Sequence, residues 1–450
     1  MRSEMTRREF SVALGGAAAA PQAGPKPNII FILADDLGYG DLGCYGQKQI
    51  ATPNLDRMAA EGMKFTSAYA GSTVCAPSRC CLMTGLHTGH AKVRTNGSDP
   101  IGPQDLTVTE VLKGAGYRTA LYGKWSLGGI YTSGYPLDKG FDEWFGYFNQ
   151  SHAHEYYPEM LLDGRREVLI RGNFGEPTGK RKVYVHDLFT ERALRFIEQN
   201  RQNPYFLHLC WTIPHANNEL GRSTGNGMQV PEDGPYSGRN WPQTEKNFAA
   251  MLHRMDADVG RILDALKKTG QDRNTLVIFS SDNGPHREGG HEPDFFDSNG
   301  PLRGIKRDLY EGGVRVPFIA WWPGRIEAGS KCDEPAAFWD FMATAAELAG
   351  AKVPVKTDGV SFAPALFGRP LPKREYLYWE FHERGFSQAV RMGRWKGVKR
   401  NAEAPVELYD IESDIGETKD LATANPAIAA RIADIMRTAR TPGPERKKKA

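Results

Sequence analysis

The sequence predicts an α/β protein that ends in a smaller sheet-and-helix unit. Three observations carry the prediction. Short apolar runs rich in β-branched residues, Ile29-Ile30-Phe31-Ile32-Leu33 and Thr275-Leu276-Val277-Ile278-Phe279, read as strands buried on both faces, as in a parallel sheet. Between such runs lie stretches with apolar residues at intervals of three and four, which read as amphipathic helices. After residue 372 the pattern changes to short strand candidates at 376–381, 388–392, 395–399 and 407–409, followed by one helix over 427–439.

Taken in order, the strand at 29–33 ends at Asp35-Asp36. Two adjacent carboxylates after a buried strand are costly unless solvated, paired or bound to a cation, and ligands of open α/β sheets gather at the carboxyl ends of strands. Thr52-Pro53 opens a helix with Thr as cap, Leu55, Met58 and Ala59 as its apolar face and Gly62 as its stop. Residues 106–112 form another, capped by Asp105 or Thr107 and ended near Gly114 or Gly116. A strand at 117–122, a helix at 186–199 and a strand at 205–211 follow, then a Gly-, Pro- and Asn-rich stretch, 216–242, that reads as a long irregular loop. The clearest helix carries Phe248, Met251, Leu252, Met255, Val259, Ile262, Leu263 and Leu266 on one stripe and stops at Gly270. A strand at 318–321, a helix at 338–348 and a connection at 350–372 lead to the last unit.

Composition narrows the function. With 57 basic and 54 acidic residues the net charge is +3, too weak a field for a general nucleic-acid binder. The Lys447-Lys448-Lys449 run reads as a solvated tail. Six cysteines are too few for a disulfide scaffold in 450 residues, and none has zinc-ribbon spacing. Thr6-Arg7-Arg8-Glu9-Phe10 resembles a twin-arginine export signal, with an apolar run over 10–20 and small residues for cleavage at 18–23. No other stretch approaches membrane-spanning length. The expectation is an exported, periplasmic or secreted protein without stable membrane insertion, divided into a signal (1–24), a catalytic unit (25–370) and a small α+β unit (371–450).

The chemistry centres on Cys75-Ala76-Pro77-Ser78-Arg79, followed by Leu82-Met83-Thr84-Gly85. Pro77 fits the first turn of a helix, so Cys75 stands at a helix N-terminus, where free N–H groups and the dipole favour an anion. Arg79 falls one turn on, on the same face. This stretch resembles the signature of the type I, formylglycine-dependent sulfatases, arylsulfatase-like members of the alkaline phosphatase superfamily. Further segments resemble that family in order: Asp35-Asp36, Gly123-Lys124-Trp125-Ser126-Leu127-Gly128, Pro214-His215, Asp282-Asn283, Lys306, the Tyr310-Glu311-Gly312-Gly313-Val314-Arg315-Val316-Pro317 segment, and the 408–421 segment.

The resemblance covers about residues 27–439 and implies the alkaline phosphatase-like fold: a large mixed sheet between helices, then a small antiparallel sheet with one helix. It implies that a formylglycine-generating enzyme converts Cys75 to an aldehyde, whose hydrate attacks sulfur and whose second hydroxyl, once deprotonated, expels sulfate. By the same resemblance Arg79 and Lys124 hold the hydrate, Asp282 takes the proton of the attacking hydroxyl, and His215 or Lys306 protonates the leaving alcohol. Asp35, Asp36, Asp282, Asn283 and the residue-75 hydrate are the implied metal ligands. An all-oxygen set with three carboxylates suits a hard cation, calcium before magnesium. One position departs from the pattern: the family histidine that assists the formylglycine hydroxyl is Ser126 here, which has no group titrating near neutrality.

Two loops offer substrate contacts. In Ser151-His152-Ala153-His154-Glu155-Tyr156-Tyr157 the His-x-His pair lacks an evident third zinc ligand, and the loop reads either as substrate-contacting, through His154, or as structural. His286, Glu288, His291, Asp294, Phe295 and Phe296 combine polar groups with aromatics, which fits sugar recognition or a plain surface loop. Within sulfatases this combination points to a sulfated carbohydrate, galactose- or N-acetylgalactosamine-directed. The rival readings are a phosphoesterase or phosphonate hydrolase of the same superfamily, and a catalytically weak glycan-binding protein whose support is Ser126.

Overall fold

The computed structural model describes residues 26–97 and 100–442; the proposed signal and the terminal lysine run lie outside them. At its centre strand Asn28–Ala34 is buried along its whole length. It pairs in parallel with Tyr205–Cys210 on one side and Thr275–Ser281 on the other. Arg118–Gly123 and then Glu143–Gly146 extend the parallel run, while Phe318–Trp321 adds antiparallel to Thr275–Ser281. Short edge strands, Met160–Asp163 and Arg166–Leu169 at one side and Met63–Phe65 and Ser330–Cys332 at the other, complete a mixed sheet of ten strands.

The two faces of the central strand feed two cores, as the period-2 geometry of a strand requires. Ile29, Phe31 and Leu33 pack with the helices Cys75–Thr84 and Asp340–Ala349. Ile30, Ile32 and Ala34 pack with the helices Pro53–Glu61, Val185–Gln199 and Gln243–Lys268. A sheet covered on both sides explains the unbroken apolar runs.

Local chemistry refines the expected boundaries. Thr107 caps the helix Val108–Gly114 through a capping box: its Oγ1 accepts from the Glu110 N–H (3.3 Å), and Glu110 Oε2 accepts from the Thr107 N–H (2.9 Å). Thr52 precedes its helix but does not cap it; its Oγ1 accepts from the Gly43 N–H (2.8 Å) and donates to Asp56 (3.2 Å). The stretch 216–242 is not wholly irregular. It contains the helix Asn218–Thr224, capped by the Asn217 side chain on the Leu220 N–H (2.9 Å) and ended at Gly225 with φ 80°. That helix is short and has no buried residue, so it leaves no apolar stripe to read.

Four strands, Leu377–Phe381, Ser387–Met392, Trp395–Lys399 and Glu407–Asp410, form the C-terminal antiparallel sheet. The helix Pro426–Thr438 covers one face with Ile432, Ile435 and Met436. The other face, with Trp379 and Phe381, joins the main core. Beneath it Lys396 is fully buried, with Nζ 2.8 Å from Glu311 Oε1 and 3.6 Å from Glu417 Oε1. Glu311 also receives Arg315 (3.0 Å) and the Tyr69 hydroxyl (2.7 Å). Removing one member of such a set strands the others without solvent. Lys396→Met is therefore expected to lower the unfolding free energy by about 3–5 kcal/mol, read as a shift of the urea midpoint; an unchanged midpoint would show that the cluster contributes nothing net.

Candidate active site

The carboxyl ends of four parallel strands converge on one point, and each delivers residues to it. Asp35 and Asp36 follow Asn28–Ala34, Lys124 follows Arg118–Gly123, His215 lies beyond Tyr205–Cys210, and Asp282 and Asn283 follow Thr275–Ser281. Gly123 makes the turn to Lys124 feasible: with φ 115°, a Cβ here would stand 1.9 Å from the Cys210 carbonyl oxygen.

Cys75 begins its helix, which is buried at all ten positions. The helix end has no cap of its own; Asn96 Oδ1 arrives from a separate loop to accept the Ala76 N–H (2.9 Å). The Cys75 Sγ–H donates to Asp35 Oδ1 at 3.1 Å. Burial, with Asp282 and Asp35 alongside, raises this thiol well above its ordinary pKa. An unmodified Cys75 is thus held as the neutral thiol, a poor nucleophile.

Arg79 is buried and serves the carboxylates rather than the sulfur. Its Nε and Nη2 donate to Asp282 Oδ2 (3.0 and 2.7 Å), Nη2 to Asp35 Oδ2 (3.2 Å), and Nη1 to the Lys124 carbonyl (2.6 Å). Lys124 Nζ donates to Asp35 Oδ2 (2.6 Å), and Lys306 Nζ to Asp36 Oδ2 (2.7 Å). Burial works to raise the Asp35 and Asp36 carboxyls, yet the cations outweigh it and both end below their ordinary value. Asp282 goes the other way: burial and the adjacent Asp35 push it up to about 7, despite Arg79.

His215 is buried, with Nδ1 2.7 Å from the Ala216 carbonyl. A carbonyl only accepts, so Nδ1 carries the proton and Nε2 presents its lone pair to Lys306 Nζ at 3.4 Å. Burial and Lys306 lower His215 to about 3. Lys306, surrounded by Asp36 and Glu288, is raised, burial notwithstanding. At neutral pH the available proton of this pair resides on the lysine. Glu288 accepts from Lys306 (3.1 Å) and from Arg307 Nη1 (2.6 Å), which brings both residues to the rim of the centre.

The three histidines read as substrate contacts separate. The His154 ring stacks on His215, centroids 4.8 Å apart and 16° from parallel. His286 is fully buried; its Nε2 faces the Pro214 carbonyl (3.2 Å) and its Nδ1 accepts the Glu288 N–H (3.0 Å). His291 stands farther back, flat against Phe248 (3.8 Å) with Nδ1 on Glu245 (2.7 Å). Gln150 Oε1 accepts from the Ser126 hydroxyl (2.5 Å) and Glu219 Oε2 lies 3.1 Å from His154 Nδ1; like Asn96 and Arg307 they are marked by no motif, and Arg307, next to Lys306, was the nearest to legible.

The residues fit a cation. Oxygen or sulfur atoms of Asp35, Asp36, Cys75 and Asp282 all lie within 4.8 Å of one another. Asn283 Nδ2 donates to Asp36 Oδ1 (2.7 Å) and the Gly284 carbonyl (2.9 Å), which leaves Asn283 Oδ1 buried without a partner. A buried oxygen with no donor, beside three crowded carboxylates of which one is pushed toward protonation, is the donor set of a hard metal ion.

Comparison with known proteins agrees with this geometry. The sulfatase family model matches residues 27–351, and a model described as the C-terminal part of N-sulphoglucosamine sulphohydrolase matches 304–440. The chain is 35% identical over 421 residues to the N-acetylgalactosamine-6-sulfatase of Canis lupus familiaris, covering 86% of this chain and 74% of that one. It is 32% identical to arylsulfatase A of Homo sapiens over 492 residues, covering 95% and 89%. Among solved structures, Ps i-CgsB in complex with k-i-k-neocarrahexaose superposes with a TM-score of 0.79 at 31% identity, covering 92% of each chain. With the nucleophile motif, the paired acidic strand ends and the two lysines in one place, the chain belongs to the sulfatase family.

Proposed function

We propose that this sulfatase removes sulfate from a sulfated carbohydrate, galactose or N-acetylgalactosamine sulfate among the candidates, and that residue 75 acts after conversion to formylglycine by a formylglycine-generating enzyme. The observation that carries the reading is the placement of Cys75 at a helix N-terminus within a ring of Asp35, Arg79, Lys124, His215 and Lys306. The sugar class is supported by the N-acetylgalactosamine-6-sulfatase relatives and by the complex with k-i-k-neocarrahexaose among similar structures.

Formylglycine, as its hydrate, supplies a hydroxyl nucleophile on a carbon that can return to a carbonyl. The cation supplies Lewis-acid withdrawal of charge from sulfate oxygens, and Asp35, Asp36, Asp282 and Asn283 would hold it together with the residue-75 side chain. Calcium suits so many oxygen ligands better than magnesium. The chain's own groups do the remaining work. Lys124 and Lys306 direct ammonium donors into a buried, low-dielectric site, where fixed charges act strongly on developing negative charge. Arg79 keeps Asp35 and Asp282 aligned. Lys306, holding the proton that His215 lacks, is the donor to the departing alcohol oxygen, with His215 Nε2 orienting it. Glu288 faces the sugar, while His286 and His291 support the wall behind it.

The domain division at residue 370 is proposed on the change of pattern there. Export by the twin-arginine route is proposed on residues 6–10; among the described residues no helix is long and apolar enough to cross a membrane.

The deciding experiment is sulfate release by the converted enzyme from a panel of sulfated sugars and their matched phosphate esters. Release from sulfates, lost at least about a thousandfold in Cys75→Ala and about a hundredfold or more in Lys306→Met, is expected. Preference for the phosphate esters would favour the phosphoesterase reading. A chelator is expected to lower the unfolding temperature, and calcium to restore it at lower concentration than magnesium; an unaltered melt would remove the cation.

A further inference from the structure

The family pattern puts a histidine where this chain has Ser126, and Ser126 does not compensate for it. Its φ is 73°, and its hydroxyl is turned to Gln150 Oε1 at 2.5 Å. A hydroxyl does not accept a proton at neutral pH. Release of sulfate from residue 75 nevertheless needs a base for the second hydroxyl.

We propose that His154, held by Glu219, is that base. The assignment rests on the sulfatase reading above. Four observations support it. The ring lies parallel on His215, which has a ring nitrogen within 4.8 Å of both Cys75 Sγ and an Asp35 oxygen, so His154 stands in the layer next to the one that meets the reacting residue. Its Nδ1 is 3.1 Å from Glu219 Oε2. A carboxylate accepts, so Nδ1 carries the proton and Nε2 keeps its lone pair, the orientation a carboxylate imposes on a general base. The competing acceptors are engaged: Asp282 Oδ2 by Arg79 and Oδ1 by the Asp36 N–H, Asp35 Oδ2 by Lys124 and Arg79, and His215 Nε2 by Lys306, while Asp35 Oδ1, which faces residue 75, is among the oxygens that would hold the cation. Finally, burial and the charge of Lys124, against the pull of Glu219 and Asp35, lower the proton affinity of His154, so the ring is neutral and ready at neutral pH.

The step balances. The hydroxyl proton on residue 75 moves through one solvent water to His154 Nε2, and the oxygen's electron pair forms the aldehyde C=O. The C–O bond to the sulfate group breaks and sulfate leaves with that pair. The imidazolium, stabilised by Glu219, then returns its proton to water, and a second water restores the hydrate. The short helix Asn218–Thr224 brings Glu219 to this position, so its Asn217 cap has a functional consequence.

The test uses the converted full-length enzyme and a sulfated sugar it hydrolyses. His154→Gln is expected to release the first equivalent of alcohol at near the wild-type rate, then stall. Its kcat falls about a hundredfold or more, and the quenched residue-75 peptide carries the added mass of one SO3 group, which wild type does not accumulate. Glu219→Gln shows the same adduct with a smaller loss. Ser126→His in the His154→Gln background restores turnover and clears the adduct. An unchanged kcat in His154→Gln overturns the assignment alone, as does a defect confined to KM or a lost kcat without the adduct. A converted wild type that releases no sulfate overturns the sulfatase reading and this assignment with it.

Discussion

Everything in this molecule is arranged around the neutralisation of three carboxylates in one buried place. Asp35, Asp36 and Asp282 stand at the ends of adjacent parallel strands, where the register of the sheet forces them together. Alone they would protonate or open the sheet. Arg79, Lys124 and Lys306 reach in from three separate segments to oppose them. Asp35 and Asp36 are held below their ordinary value by these cations, while burial and the adjacent Asp35 raise Asp282. The ion pairs that stabilise the fold are the same contacts that set the electrostatics of the site.

That constraint explains the helix carrying Cys75. Complete burial of ten residues that include an arginine is unusual unless the charge is fully paired, and Arg79 has four such hydrogen bonds. The small C-terminal sheet has a related role. Through Lys396 and Glu311 it anchors the segment that follows Lys306, and Glu383, beside that sheet, accepts the Asn96 N–H at 2.6 Å and so steadies the loop that caps the Cys75 helix. The last unit is therefore part of the support of the active centre as well as a packed layer beside it.

Much of the site was legible along the chain because its members sit in rigid motifs or directly at strand ends. Cys75 and Arg79 share one helical turn, and Asp35, Asp36, Asp282 and Asn283 follow apolar runs whose ends are plain to read. The second layer was not legible. Asn96, Gln150 and Glu219 come from polar loops and a short helix without an apolar face, and hydrophobic periodicity carries no signal there. Glu143–Gly146 and the four short edge strands of the large sheet were missed for the same reason, since three or four residues do not establish a period.

The sequence by itself determined the chemistry at each strand end, the alternation of sheet and helix, and the motif that marks residue 75, because these follow from local pattern and residue type. Tertiary structure alone decided which partner each charge has and where each histidine stands. Position along the chain sets no distance between His154, His215 and Lys124; the sheet order does, by bringing the ends of Tyr205–Cys210 and Arg118–Gly123 side by side. Likewise His286 and His291, alike with His154 in sequence, differ from it in space, because the pairing of their ring nitrogens and their burial follow from packing against Phe248 and Pro214.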